Sequence, residues 1–251
     1  MEKLELETAK ALISAHIRPG CLFSRSFTPE ELADECAAGT LWYENREGCL
    51  LLARRRGEHQ ILSFALDRGA ETPAVDFDRP TVLELAWREP DTARKLLAAD
   101  WERRGFKPLL RRVRLTRERG GCPLPAALPL AAEKDLPALR ALLRACFDPL
   151  TGCLPTDAAL EKDVAAGRVL YTGEALLRWS PGLSPEVRQL AVAPQARGQG
   201  KGKALLQRFT TELDGRRITV WTAETNAPAL RLYESAGFAP DGWQSEVLLW
   251  E

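Results

Sequence analysis

The stretch QARGQGKGKALLQRF, residues 195–209, places three glycines at alternate positions directly before an apolar-periodic segment. A surface turn rarely needs more than one glycine, so this spacing indicates a more specific use. Glycine adopts positive φ and lets a ligand approach the backbone, and the first amides of a helix have no partner within the helix. A glycine turn that opens a helix is therefore a candidate binding site for phosphate.

A surface turn with solvated lysines is the simplest alternative interpretation of this loop. A Walker loop is excluded, because that loop requires a serine or threonine after its Gly-Lys pair. Here Gly202-Lys203 is followed by Ala204, and Arg197 stands where the first glycine would be needed.

A dinucleotide-binding fingerprint, G-x-G-x-x-G/A, also fits poorly. Read from Gly198 its last position is Lys203, and read from Gly200 it is Leu205. Glu224 stands about where a ribose-binding acid belongs, which keeps this alternative open. The chain after it is too short to complete the parallel sheet that such a site requires.

The composition of the whole chain narrows the classes of function. The 251 residues are 45% hydrophobic, with 35 basic and 35 acidic side chains, so a globular α/β protein without a nucleic-acid or membrane partner is predicted. The first ten residues, MEKLELETAK, do not resemble a signal peptide. Six scattered cysteines and two histidines favour a cytoplasmic protein with reduced thiols and no metal site.

The chain also contains an apparent internal duplication. ELADECAAGTLWYE (31–44) resembles ALEKDVAAGRVLYT (159–172), and WERRGF (101–106) resembles YESAGF (233–238), in the same order. Glycines and prolines in RERGGCPLPAALP (117–129) mark the boundary between the copies. We therefore predict two domains, residues 1–118 and residues 127–251.

Helices and strands alternate in the second copy, which predicts a mixed α/β sheet. The predicted helices are 133–147, 157–168, the segment after the glycine loop and 226–238, and the predicted strands include 169–173, 174–180, 186–192, 217–223 and 245–250.

Although the loop fits the Walker and dinucleotide-binding fingerprints poorly or not at all, it contains the motif R-x-x-G-x-G, carried by Arg197, Gly200 and Gly202. LAVAP precedes it, and NAPA and LYESAGF follow it. This order resembles the GNAT superfamily of acyl-CoA-dependent N-acetyltransferases over nearly all of residues 127–251. The resemblance implies two tandem copies, each with a twisted, mostly antiparallel sheet, a splayed pair of parallel strands and flanking helices. It also implies transfer of an acetyl group from acetyl-CoA to a primary amine by direct attack, without a metal.

The resemblance further implies which residues bind the cofactor. The loop amides would bind the CoA pyrophosphate, and the strand before the loop, which carries a bulge in this family, would pair with the pantetheine arm. The residues that inherit these roles are Leu190, Val192, Arg197, Gly198, Gln199, Gly200, Lys201, Gly202 and Asn226. For Asn226, a plain helix cap is an equally good interpretation.

Two residues inherit catalytic roles from the same resemblance. Tyr233 matches the tyrosine that serves as general acid for the departing CoA thiolate, although its helical spacing also fits core packing. Glu186 is a candidate general base, with a solvated acid at a strand end and a water chain as alternatives. A backbone amide such as that of Val192 would stabilise the thioester oxygen.

The first copy lacks the corresponding cofactor motif. RGAETPAVDFDRP (68–80) stands where the glycine loop and its helix would be expected. Trp101 occupies the position that corresponds to Tyr233 when the two halves are aligned. We therefore predict that this half binds no CoA. The acceptor, a small-molecule or peptide amine, stays unidentified, and CFDPLTGCLP (146–155) is the expected place of its contacts. A non-catalytic acyl-CoA-binding module is the competing function.

Overall fold

A computed structural model describes residues 1–24, 27–118, 128–213 and 215–251. The predicted α/β class is confirmed, with helices and strands that alternate along the chain. The N-terminal elements are β1 (Glu2–Lys3), α1 (Leu6–His16), β2 (Leu22–Phe23), α2 (Pro29–Ala37), β3 (Leu41–Arg46), β4 (Cys49–Arg56), β5 (His59–Leu66), β6 (Thr81–Arg88), α3 (Thr92–Arg103) and β7 (Lys107–Arg117). The C-terminal elements are α4 (Leu136–Cys146), α5 (Asp157–Ala165), β8 (Val169–Tyr171), β9 (Ala175–Ser180), β10 (Glu186–Val192), α6 (Lys201–Glu212), β11 (Ile218–Ala223), α7 (Ala227–Ser235) and β12 (Ala239–Trp250).

The chain forms two compact units, and each contains a strand segment from the other half of the sequence. The N-terminal unit contains Met1–Arg111 and Trp243–Glu251, and the C-terminal unit contains Arg112–Gly242. Residues 112–117 of β7 pair with β11, whereas residues 243–250 of β12 pair with β6. We expected each of these strands to close its own copy, but apolar alternation specifies only which face of a strand is buried, not its neighbour. The domain extents 1–118 and 127–251 remain a prediction, and most of their boundary lies outside the described residues.

The sheet of the C-terminal unit has the strand order β7-β11-β10-β9-β8. Its strands are antiparallel except for β10 and β11, which pair in parallel only at Glu186↔Thr219 and Val187↔Val220. One face packs on α4 and α5 through residues such as Leu139 and Leu160. The opposite face forms the cluster that contains Leu205, Leu206, Phe209, Val220 and Tyr233. Both faces of this sheet are therefore covered by helices.

A β-bulge in β10 accompanies the end of the parallel pairing. Val187 lies opposite Trp179 and Gln189 lies opposite Arg178, so Arg188 is one extra residue on β10. Such a bulge bends its strand and increases the local twist. The bulge explains why β10 leaves β11 after Val187, and it matches the bulged, splayed strand that the GNAT resemblance implies.

The N-terminal unit repeats the split between parallel strands but not the bulge. β5 and β6 pair in parallel only over Gln60–Leu62 and Thr81–Leu83. The pairing of β4 with β5 runs from Cys49↔Leu66 to Arg56↔His59 without a register shift.

Aromatic side chains dominate the core next to this second split. The cluster that contains Leu62 and Leu83 also contains Trp101, whose ring centroid lies 5.1 Å from that of Phe64. Phe77 comes from the helix-free segment 67–80 and lies 6.1 Å from Phe106, centroid to centroid. In this half, bulky side chains and a helix-free segment stand where the other half has a glycine turn and its helix, and the absence of CoA binding remains a prediction.

Replacing Trp101 with alanine tests this aromatic core. Trp101 is 0% exposed, so Trp101→Ala is expected to lower the free energy of unfolding by about 3–5 kcal/mol. Leu96→Ala on the same helix is the control, because Leu96 is 67% exposed and its loss should cost about 0.5 kcal/mol or less. Urea denaturation followed by tryptophan fluorescence measures both, and equal effects would contradict the packing described above.

Candidate active site

The glycine loop joins the end of β10 to the start of α6 and leaves the helix start uncapped. Gly198 and Gly200 adopt φ values of 76° and 74°, which disfavour residues with a Cβ. Gly200 is the N-cap residue and has no side chain that could accept a hydrogen bond. The first backbone bond of the helix runs from the Ala204 N–H to the Gly200 carbonyl, 2.9 Å away. The amides that precede Ala204 in the first turn are therefore available to an anion.

The three glycines of the loop are required for different structural reasons. A Cβ on Gly198 or Gly200 would meet open space, so these two are required by their backbone conformation alone. A Cβ on Gly202 would lie 3.1 Å from Cγ2 of Val192 and 3.7 Å from Cδ2 of Leu232. Gly202 thus allows α6 to approach β10 and α7 closely.

The basic side chains of the loop are partly engaged by the protein itself. Nε of Arg197 donates to the Val192 carbonyl at 3.3 Å, which folds the guanidinium back onto the end of β10. Nζ of Lys201 forms an ion pair with Glu174. Gln199 donates from its side-chain amide to the Gln195 carbonyl at 3.1 Å. The expected phosphate contacts of these side chains remain a prediction. The Arg197 N–H donates to the Pro194 carbonyl, so the backbone amides that remain available begin at Gly198.

Leu190 and Val192 lie on the part of β10 that has left β11. Both are half-buried and pack against the cluster that contains Tyr233. Parallel pairing with β11 ends at Val187, so the edge of β10 that faced β11 has no strand partner beyond the bulge. An extended ligand can pair with such an edge as another strand would.

Tyr233 lies in the core of this unit, close to the same strand. Its ring packs against Phe238 with centroids 5.6 Å apart, and the residue is only 5% exposed. Burial raises the pKa of its hydroxyl above the usual value, so the phenol is protonated at neutral pH. Within the described part of the chain, the hydroxyl has no hydrogen-bond partner. Both predicted interpretations, core packing and a proton donor, are compatible with this position.

Glu186 lies at the opposite end of β10 from the glycine loop. It is in register with Thr219, where the parallel strands are still paired, and NH1 of Arg188 donates to its carboxylate at 2.6 Å. Leu190 is four residues further, about 13 Å along an extended strand. The structure therefore does not bring Glu186 next to Leu190 and Val192, and its role as a base remains a prediction.

Asn226 is the N-cap residue of α7. Its side-chain oxygen accepts a hydrogen bond from the Ala229 N–H at 3.2 Å, which is the helix cap that the sequence predicts. The side-chain amide nitrogen is not used by this cap and can donate to a ligand. Contact with the cofactor remains a prediction.

A buried polar network, which sequence reasoning missed, connects β10 to the loop between α4 and α5. Gln189 is 2% exposed and donates from Nε2 to the Cys153 carbonyl at 3.0 Å and to the Gly152 carbonyl at 3.3 Å. Its oxygen accepts from NH1 of Arg178 at 2.8 Å, and Arg178 also donates to Asp163 at 2.6 Å. A glutamine at an inward position of the strand EVRQLAV was the available signal.

This network holds the loop in a tight conformation. Cys153 has a φ of 48°, which is unusual for a residue other than glycine. A Cβ on Gly152 would lie 2.6 Å from the Asp148 carbonyl oxygen. Hydrogen bonds from Gln189, and one from Arg112 to the Thr151 carbonyl, thus hold the loop in position.

Two classes of site find no support within the described ranges. No three His, Cys, Asp or Glu side chains come together there as a metal site would need. No helix in those same ranges is long and apolar enough to cross a membrane.

Comparison with known proteins finds similarity in the part of the chain that carries this site. Residues 158–240 match the family model described as an acetyltransferase (GNAT) domain. The chain is 43% identical over 75 residues to a mycothiol acetyltransferase from Thermobifida fusca, and the match covers 30% of this chain and 23% of that protein. The chain therefore spans less than a quarter of the length of the curated relatives that it matches.

Solved structures resemble a larger part of the chain. A GCN5-related N-acetyltransferase from Sphaerobacter thermophilus matches with a TM-score of 0.55 and 12% identity, over 92% of this chain and 96% of that one. A GNAT-family acetyltransferase from Colwellia psychrerythraea matches with a TM-score of 0.55 and 12% identity, over 97% and 94%. At this level of identity the likeness shows the fold alone.

Truncating Gln189 tests its hold on the loop. Gln189→Ala would leave the Gly152 and Cys153 carbonyls without their donor, which is expected to lower the free energy of unfolding by about 1–3 kcal/mol. Amide hydrogen exchange should become faster in the loop between α4 and α5 while α6 keeps its protection. Gln207→Ala is the control, since Gln207 lies exposed on α6. Unchanged exchange in the loop would contradict the role described for Gln189.

Proposed function

Because residues 158–240 form a domain of the GNAT superfamily, we propose that this chain is an acetyl-CoA-dependent N-acetyltransferase that acetylates a primary amine. One observation carries the proposal. The parallel pairing of β10 and β11 stops after two registers, directly before a glycine turn whose helix start is uncapped. This arrangement offers an extended edge and an anion site in succession, which suits a ligand with a long amide-containing arm and a pyrophosphate.

The loop from Arg197 to Gly202 would hold the pyrophosphate on its amides. Each charge-assisted hydrogen bond contributes about 1.5–3 kcal/mol, so a few of them suffice for tight binding. The pantetheine amides would pair with β10 at Leu190 and Val192. The thioester would then lie in the gap where β10 has left β11.

Acetyl transfer at this position follows from the chemistry of a thioester and an amine. The neutral amine nitrogen attacks the acetyl carbon, and the backbone amide of Val192 would stabilise the negative charge on the oxygen. Breaking the C–S bond releases the thiolate, and the amine loses one proton. The net products are an acetylated amine and a protonated CoA thiol.

Tyr233 would assist the departure of the thiolate. A thiol has a pKa of about 8.5, whereas burial holds the pKa of Tyr233 above that of an ordinary phenol. The phenol is therefore present as a donor at neutral pH, and it is a weaker acid than the thiol that it serves. Hydrogen bonding to the developing thiolate is its main contribution, and the final proton comes from the pool that the amine releases.

We do not assign the removal of the proton from the amine to Glu186. Its carboxylate is engaged by Arg188, so a chain of water molecules is the proposed route for that proton.

The ion pair of Glu186 with Arg188 also favours a second candidate function, a non-catalytic module that binds acyl-CoA. Release of free thiol from acetyl-CoA across a panel of small amines and peptide N-termini separates the two. Tight CoA binding without turnover of any amine would favour the module.

The acceptor is proposed only as a class, a small-molecule or peptide primary amine. The relative named mycothiol acetyltransferase supports acetyl transfer, while its match covers too little of either chain to carry its acceptor over. We propose that the loop between α4 and α5, held by Gln189, contacts the acceptor.

Replacing the Tyr233 hydroxyl tests its proposed role as a hydrogen-bond donor to the departing thiolate. Tyr233→Phe is expected to lower kcat about a hundredfold while the affinity for CoA stays the same, because only an interaction with the leaving group is lost. Tyr171→Phe is the matched control, since the Tyr171 hydroxyl is exposed and bonds to the Gly173 carbonyl of its own turn. An unchanged kcat for Tyr233→Phe would remove this assignment but not the activity itself.

A pair of glycine substitutions tests the loop as the pyrophosphate site. Gly200→Ala and Gly215→Ala each place a Cβ at positive φ in open space, and each should cost about 1–2 kcal/mol of stability. Only Gly200→Ala is expected to weaken CoA binding, by about tenfold or more, because it alone disturbs the uncapped helix start. Isothermal titration calorimetry measures the affinity, and equal affinities for the two variants would overturn the proposed site.

A further inference from the structure

The N-terminal unit encloses a cavity that the proposed acetyl transfer does not use. Its volume is about 360 Å³, and it lies between α1, the start of α2, and the strands β4 and β5. Binding sites for small molecules range from about 300 to 1,000 Å³ and are mostly apolar with a few polar groups. All lining residues lie between Lys10 and Ala65, so the cavity belongs entirely to this unit.

Small side chains on β5 create the space. Ser63 lies opposite Leu52 and Ala65 lies opposite Leu50 in the antiparallel pairing of β4 with β5. Residues at this spacing share one face of the sheet, and all four line the cavity beneath the helices.

The second copy shows how the same place is filled by protein groups. If Ala65 is matched with Ala191, then Ser63 matches Gln189 and Leu52 matches Arg178. In the C-terminal unit, those two residues form the buried network that closes onto the neighbouring loop. The N-terminal unit has a serine and a leucine there, so it has lost the polar closure and retains an apolar space.

The polar groups of the cavity indicate what it would bind. Ser63 is 2% exposed, and its hydroxyl has no hydrogen-bond partner in the described part of the chain. Because Ser63 also lines the cavity, an oxygen of a ligand would give this hydroxyl a partner. Lys10 is the charged residue of the lining, and its side chain is 54% exposed, which places its ammonium toward solvent. No carboxylate belongs to the lining that the structure describes.

We propose that the N-terminal unit binds an oxygenated medium-chain carboxylic acid in this cavity. The hydrocarbon chain lies on the apolar lining, which includes Ile13, Phe23 and Leu32. The carboxylate lies at the open end beside Lys10, which also pairs with Glu7. A hydroxyl or keto oxygen on the chain bonds to Ser63. The site is separate from the glycine loop, so its occupation does not depend on acetyl transfer.

Calorimetric titration of the full chain tests this site with three probes, hydroxydecanoate, decanoate and decanol. Saturating CoA is present throughout, so the glycine loop is occupied. One molecule per chain is expected, with hydroxydecanoate bound most tightly and decanol bound about tenfold more weakly than decanoate, because only the acids meet Lys10. Failure of all three probes to bind would overturn the proposal.

Substitutions locate the binding within the cavity. Ser63→Leu and Ala65→Leu add side-chain atoms where the space is empty, so each should abolish binding of all three probes without lowering the melting temperature. Lys10→Gln should weaken binding of the acids about tenfold and leave that of decanol unchanged. Lys107→Gln is the control, because Lys107 is an exposed lysine of the same unit away from the cavity. Undiminished binding by a folded Ser63→Leu or Ala65→Leu variant would place the ligand elsewhere and overturn the proposal.

Discussion

The candidate site depends on the point at which β10 stops pairing with β11. One extra residue, Arg188, bends β10 after Val187 and leaves the following backbone groups without a neighbour on that side. Because unpaired backbone groups inside a protein are costly, the segment from Gln189 to Val192 favours a partner that pairs as a strand does. The glycine loop begins directly after this segment. The proposed order of pantetheine and pyrophosphate contacts therefore follows from a single irregularity in the sheet.

A split between two parallel strands occurs in both units, but its surroundings differ. β5 and β6 also separate early, but no bulge is present, and the adjoining core contains Trp101, Phe64 and Phe77. Aromatic rings fill the space beside the split in the N-terminal unit, whereas a ligand would fill the corresponding space in the C-terminal unit. The opposite holds on the face that packs on α4 and α5 in the C-terminal unit and on α1 and α2 in the N-terminal unit, since Gln189 fills a position that Ser63 leaves open. The C-terminal unit is therefore open at the strand split and filled at Gln189, whereas the N-terminal unit is filled at the strand split and open at Ser63.

Local features of the site were predictable because they depend on residues close in sequence. The glycine turn, the start of α6 and the Asn226 cap each follow from a few neighbouring residues. Features that join distant segments were not predictable in this way. The hydrogen bonds of Gln189 to Cys153 depend on a fold that brings β10 beside a loop 36 residues away. The pairing of Glu186 with Arg188 required knowledge of side-chain direction at a bulge.

The pairing of β12 with β6 has a consequence for how the protein is made. β6 has its antiparallel neighbour in residues 243–250, which are synthesised only after the whole of the C-terminal unit, residues 112–242. An edge of the N-terminal sheet that is completed so late presents exposed strand groups and apolar surface throughout synthesis. We expect the nascent chain to depend on delayed folding or on chaperones more than a protein with two independent halves would. The N-terminal unit is therefore complete only when residues 243–250 have been added.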